Sequence, residues 1–248
     1  MTDSTDNINR LKREIVKASW MAKEGHIASA FSVIDIIYCL YNNLDNFKFI
    51  LSKGHASLAL YAVLADRGFF DVSEMFKFCQ IDSMLGGHPD ATKIPGVLAS
   101  TGSLGHGMPM AVGMAMGLKI LKNTHRVCVL VGDGESNEGT IWESCLIAAT
   151  HKLDNLSVIV DYNHSNDRAI SLDNIEEKFR AFGMDTMTID GHNQEDILGA
   201  LTYHSTKPVC IIANTIKGKG CSLMENNPAW HRKHPSNEEL DIIMSELS

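Results

Sequence analysis

Asp133 and Asn163 each follow a short apolar run, and together they offer a hard cation one anionic and one neutral oxygen. The first run, Val127 to Val131, is β-branched and leads into Gly132-Asp133-Gly134. The second, Leu156 to Val160, leads into Asp161-Tyr162-Asn163. Such runs read as strands of a parallel sheet buried on both faces. Neighbouring parallel strands would bring the two side chains to the carboxyl edge, where open α/β sheets bind ligands. A backbone carbonyl just past Asn163 adds an oxygen, and Mg²⁺ completes its shell with water and phosphate. Gly132 and Gly134 let backbone N–H groups approach a diphosphate, and the N-terminus of the helix that follows favours its charge. The expectation is a metal–diphosphate site. A capping aspartate accounts for a lone GDG, but not for an Asn at the end of the next strand as well.

The other elements must hold that edge in place. Ile8, Leu11, Ile15, Val16, Ser19 and Trp20 recur at helical spacing and predict a helix to about Lys23, ended by Gly25. ASAFSVIDIIYCLY reads as a buried helix and Phe47 to Leu51 as the first strand, with Ser52 to Ser57 as its carboxyl-end loop. A helix through LALYAVLADRG stops at Gly68, a short amphipathic helix covers Asp71 to Gln80, and Leu85 to Asp90 is a loop. Small residues at Ala111, Gly113, Ala115 and Gly117 suit close packing on the sheet or on a partner. A strand over Asp185 to Ile189, a helix over Gln194 to His204, a strand over Val209 to Ile216 and a charged amphipathic tail helix complete the chain. With no repeat, linker or shift of composition, residues 1–248 read as one domain. Its fold class is α/β, a three-layer, doubly wound, mostly parallel sheet with helices on both faces.

Composition narrows the partners. The 248 residues carry a formal charge of −8, which argues against nucleic acid or an anionic membrane. Six scattered cysteines without a CxxC pair suit reduced thiols, and the polar N-terminus has no signal-peptide core. A soluble, cytoplasmic protein is expected. There is no G-x-G-x-x-G after a first strand and no phosphate-binding P-loop, which disfavours a nucleotide-dependent enzyme.

GDGESNEG followed by KLDNLSVIVDYN resembles the thiamine-diphosphate-binding motif of transketolases. The likeness extends through Gly25-His26, Ser52-Lys53-Gly54-His55, Gly87-His88-Pro89, TGSLGHG at 101–107 and the KGKG…MENNPAWH segment ending at His231. The resemblance implies a thiamine diphosphate cofactor with Mg²⁺, or Ca²⁺ or Mn²⁺, held by Asp133, Asn163 and the carbonyl of Ser165. It places His55, Gly132, Gly134, Glu138 and His231 around the cofactor, and Gly102, Ser103 and Leu104 at its aminopyrimidine end. His26, His55, His88 and His231 are the implied proton-transfer and hydroxyl-recognition groups, with His106 a weaker candidate. Glu138 and Glu143 are implied at a subunit interface, in a carboxylate network. Two positions depart from the family pattern: Ser165 replaces a large apolar residue, and Arg232 replaces a glycine. Arg232 reads either as a surface salt-bridge partner or as a bias toward anionic substrates.

Full-length transketolases also carry a pyrimidine-binding domain with the activating glutamate, and this sequence resembles only the part before it. The resemblance therefore implies a split enzyme: a partner C-terminal transketolase subunit, an α₂β₂ assembly, and transfer of a two-carbon ketol unit from a ketose to an aldose, both sugars phosphorylated. The competing readings are the corresponding subunit of a 2-oxo-acid dehydrogenase or decarboxylase, and a non-catalytic cofactor- or partner-binding homologue. The histidine turns favour the transketolase.

Overall fold

The protein is described by a computed structural model covering residues 4–167 and 169–248. Helices α1 (Ser4–Ala22) and α2 (Ile27–Asn43) precede strand β1 (Phe47–Leu51) and helix α3 (Ser57–Asp66). Then come α4 (Gly107–Ile120), β2 (Arg126–Gly132), α5 (Gly139–Thr150), β3 (Leu156–Tyr162) and α6 (Ile175–Ala181). The chain ends with β4 (Asp185–Asp190), α7 (Gln194–Thr202), β5 (Val209–Asn214) and α8 (Asn237–Glu246). Contacts divide it into two compact units. The first takes the chain up to Tyr41, Gly54–Ser100 and Ile216–Ser248; the second takes Asn42–Lys53 and Thr101–Thr215.

The second unit contains the five-stranded sheet, in the order β1-β2-β3-β5-β4 and parallel throughout. Every side chain from Val127 to Val131 and from Leu156 to Val160 is buried, so the central strands lack the in–out alternation of a half-solvated sheet. Each Val or Leu fully withdrawn from water there contributes about 1.5–3 kcal/mol. Gly132 pairs with Asp161 in the register, so the ends of β2 and β3 are level. Helix α4 packs on β1, β2 and β3, while α6 and α7 pack on the β4 side of the sheet.

The first unit is helical. Helix α1 packs on α3 and α8 through a face that buries Ile8, Leu11, Ile15 and Val16. Its end is fixed by the Ser19 hydroxyl donating to the Glu24 carbonyl and by Gly25 at φ +130. A Cβ at Gly25 would lie 3.1 Å from Leu58 and from Ser19, so the turn before His26 requires glycine on both counts.

One local expectation is revised, and one element is added. The Asp71–Gln80 stretch is a 3₁₀ helix over Val72–Lys77: Asp71 caps it by accepting from the Ser73 N–H, and the Phe78 N–H closes it on the Met75 carbonyl three residues back. Helix α6 is an element that the sequence reading does not assign. Asn174 caps it, Glu176 and Glu177 occupy its first turn, and Ile175 and Phe179 are its buried pair.

Candidate functional site

In the second unit the carboxyl ends of four strands converge on one buried polar cluster. Lys53 lies two residues past β1, Asp133 follows β2, Asp161 and Asn163 end β3, and Thr215 follows β5. Asp161 is fully buried, and its carboxylate is ion-paired to Lys53, itself only 3% exposed. The same carboxylate accepts from the Thr215 hydroxyl and, at 2.8 Å, from the side-chain amide of Asn163. That last bond decides which way the Asn163 amide points. Its nitrogen faces Asp161, so its oxygen Oδ1 is turned toward Ser165, whose N–H donates to it at 3.1 Å. His164, between them, has φ +60, a left-handed turn that swings the chain back at this point.

Asp133 is saturated on one oxygen only. Its Oδ1 accepts from the Gly134 N–H at 2.7 Å and from the Ser165 hydroxyl at 3.4 Å. Its Oδ2 is buried and has no hydrogen-bond partner among the described residues. Burial, and then the charge of Asp161, push the Asp133 carboxyl above its usual range. A cation at Oδ2 would relieve both effects. No group of three or more His, Cys, Asp or Glu side chains forms a metal cluster among the described residues. One carboxylate and one amide oxygen suit a hard ion whose other ligands come from phosphate and water. Neither Gly132 nor Gly134 has positive φ, and a Cβ on either would meet only ordinary contacts at 3.5 Å or beyond. The fold by itself does not demand glycine at these positions, whereas close approach of a diphosphate to the backbone would. The residues present fit a metal-bound diphosphate.

The TGSLGHG loop belongs to the same unit. The Thr101 hydroxyl donates to the Leu51 carbonyl at 2.7 Å, and the Thr140 hydroxyl to the Gly105 carbonyl at 2.9 Å. Between these anchors Gly102 and Leu104 are half-buried and Ser103 is exposed. His106 starts α4 with Nδ1 3.0 Å from the Leu104 carbonyl, a loop-shaping contact. Glu138 and Glu143 are both exposed on this chain.

The first unit gathers histidines. The His26 and His55 rings are 5.3 Å apart, and His231 lies 5.6 Å from His26 and 6.2 Å from His55. Burial, followed by the nearness of His231 and Arg232, lowers the His26 pKa to about 4, so His26 is neutral at pH 7. His88 is exposed on a loop fastened by Ser57 and Tyr61, whose hydroxyls donate to the Gly87 and Gly86 carbonyls at 3.0 and 2.9 Å. Lys217, almost wholly buried, places Nζ 2.9 Å from Nδ1 of His231. An ammonium only donates, so Nδ1 is the acceptor and Nε2 carries the proton. Arg232 forms a two-point ion pair with Glu24, at 3.2 and 3.3 Å. Its charge is thus directed at Glu24, which favours the salt-bridge reading of this position.

Lys53, Glu135, Asp161, Thr215 and Lys217 are site residues that motif spacing alone does not single out. Lys53 and Asp161 lie inside the motifs named above, and a charged residue embedded in an apolar strand end is the available signal for Asp161.

Comparison with known proteins agrees with this chemistry. Residues 4–247 match the family described as transketolase, thiamine diphosphate binding domain. An apulose-4-phosphate transketolase subunit from Phocaeicola vulgatus is 34% identical, over 96% of this chain and 91% of its own length. A 6-deoxy-6-sulfo-D-fructose transketolase subunit from a Clostridium species is 34% identical, over 90% of this chain and 88% of its own. The crystal structure of Campylobacter jejuni transketolase superposes with a TM-score of 0.91 at 30% identity, covering 98% of this chain and 42% of that one. The chain therefore spans nearly all of its subunit-sized relatives and under half of a full-length enzyme. With a buried polar strand edge whose residues fit a diphosphate and a match almost from end to end, the chain belongs to the transketolase family of transferases, as its N-terminal, thiamine diphosphate-binding domain.

Proposed function

We propose that this chain is the diphosphate- and metal-holding subunit of a two-component transketolase. Its partner is a second polypeptide carrying the pyrimidine-binding domain and the activating glutamate, in an α₂β₂ assembly. The observation that carries this reading is the match over about nine-tenths of both lengths to a protein named as a transketolase subunit. The reaction is transfer of a two-carbon ketol unit from a ketose to an aldose. Phosphate in one relative's named substrate and sulfonate in another's support sugars with an anionic group.

Thiamine diphosphate, when bound, supplies the stabilised carbanion chemistry that breaks and remakes the carbon–carbon bond. The chain's own residues do the holding and the proton handling. Asp133, Asn163 and the Ser165 carbonyl are assigned to the metal, taken as Mg²⁺, and Gly132 and Gly134 to the diphosphate. The backbone of Gly102–Leu104 is assigned to the aminopyrimidine. His26, His55, His88 and His231 are the groups for proton transfer and recognition of substrate hydroxyls. His26, neutral at pH 7, suits a base, and His231, protonated on Nε2, suits a donor. Glu138 and Glu143 are assigned to the subunit interface, in keeping with their exposure here.

We take the chain to act as one domain, 1–248. The family match across 4–247 and the four passages of the backbone between the two units support this. The cytoplasm is the compartment proposed, in keeping with six cysteines that form no disulfide among the described residues. The test is co-expression with a transketolase C-terminal half, followed by a donor–acceptor screen read by product mass. Ketol transfer by the pair and none by the lone chain is expected. Robust turnover by the lone chain would refute the two-component reading.

A further inference from the structure

The GDG turn contains a second acidic residue, Glu135, which neither the metal nor the proton chemistry uses. It is 2% exposed, although it sits one residue beyond Gly134 in a 3₁₀ turn, where acidic residues ordinarily face water. Its carboxylate collects donors from three separate segments of the second unit. Oε1 accepts from the Ser52 hydroxyl, at the end of β1, and from the Gly105 N–H at 2.8 Å, in the TGSLGHG loop. Oε2 accepts from the Gly132 N–H at 3.1 Å, in the GDG turn itself.

We propose that Glu135 is a positioning residue that fixes the GDG turn and the 101–107 loop at one separation, and so sets the span between the diphosphate and aminopyrimidine ends of the cofactor cradle. A carboxylate can do this because both its oxygens only accept, and each faces a backbone N–H that has to stay where the ligand will be. The surroundings are tight. Gly105 has φ +80, and a Cβ there would come within 2.7 Å of the Glu138 side chain, so the loop backbone lies close against the start of α5 and requires glycine at this point. Ser52 is fully buried and adds the end of β1 to the same knot. Rigid donors of this kind, supported from behind, are what a preorganised site needs.

The inference rests on the thiamine diphosphate reading, and the test separates the two. In Glu135→Gln the amide nitrogen must face at least one of the donors. Hydrogen exchange on the full chain without cofactor reads the clamp directly. The Gly105 and Gly132 amides should be protected in the wild type. In E135Q at least one of them should exchange faster by on the order of tenfold, the cost of an unmet buried donor, while the amides of β3 keep their protection. The rise in melting temperature given by thiamine diphosphate with Mg²⁺ should shrink by more than half in E135Q. Ser52→Ala, which leaves both amide bonds intact, should keep most of it. Wild-type Gly105 and Gly132 amides exchanging like open-loop amides would overturn the proposal even if E135Q failed to fold. So would an equal loss in S52A and E135Q, or an unchanged cofactor shift in E135Q. A wild-type chain whose melting temperature ignores thiamine diphosphate would instead count against the cofactor reading, and exchange alone would then judge the clamp.

Discussion

The strand edge of the second unit and the histidine cluster of the first solve opposite problems. At the edge, Lys53, Asp133, Glu135, Asp161 and Asn163 are all at most 5% exposed and bonded to one another or to backbone, with a single carboxylate oxygen left over. In the cluster, His88 and His231 are exposed, His26 and His55 are half-buried, and rings face one another at 5.3 to 6.2 Å. Holding a fixed charge requires groups that cannot relax, and burial with complete hydrogen bonding provides that. The proton transfer proposed for the histidines would require groups that can change charge at little cost, which contact with solvent allows. One region is built to stay the same and the other to vary.

Substitutions should show this contrast. The largest effect is expected from Asp161→Ala, which strands the buried Lys53 ammonium. The chain should lose about 3–5 kcal/mol in chemical denaturation, and the double change with Lys53→Met should recover much of it. A loss below about 1 kcal/mol would mean that the edge relaxes after all. Next, Asp133→Asn should weaken Mg²⁺-dependent thiamine diphosphate binding by about 100-fold or more, as seen by calorimetry, with little change in folding. Mg²⁺ without the diphosphate should bind poorly to the wild type as well, since the chain brings so few anionic ligands.

The cluster should respond to pH. The His26 pKa is lowered from 6.5 to about 4, so the folded state binds fewer protons than the unfolded chain between those values. Its contribution is fully present above pH 6.5 and is lost as pH falls toward 4. Melting temperatures measured across that window should drop in the wild type and drop less in His26→Gln; parallel curves would show that His26 does not titrate as its surroundings dictate. The smallest effect is expected from Arg232→Gly. Exposed ion pairs contribute little, so the melting temperature should not move measurably. The ratio of turnover on phosphorylated and unphosphorylated donors should also stay level, because Glu24 already occupies the guanidinium. A clear shift in that ratio would return Arg232 to the substrate side.

Much of the candidate site was legible because its signals are local. Asp133 and Asn163 announce themselves as oxygen-bearing residues directly after apolar strand runs, and His26, His55, His88 and His231 sit in turns whose neighbours are distinctive. Short-range patterns also located all five strands to within a residue or two. The largest offsets, two residues, fall at the ends of β3 and β5; the chain leaves the sheet at Asn214, and Thr215 donates its hydroxyl to Asp161. Helix α6 was missed because seven residues give too short a period to recognise, although its cap and end charges were present.

What the sequence determined by itself is the inventory: a parallel sheet, oxygen-bearing residues at its carboxyl edge and a set of histidine turns, each written in a few consecutive residues. The tertiary structure alone decided how those pieces are held. Lys53 and Asp161 are 108 positions apart, and Ser52 and Glu135 are 83 apart. No local pattern records such pairs. A buried charge needs its partner at bonding distance whatever the separation along the chain, so the residues that support the site become visible only when the strands lie side by side.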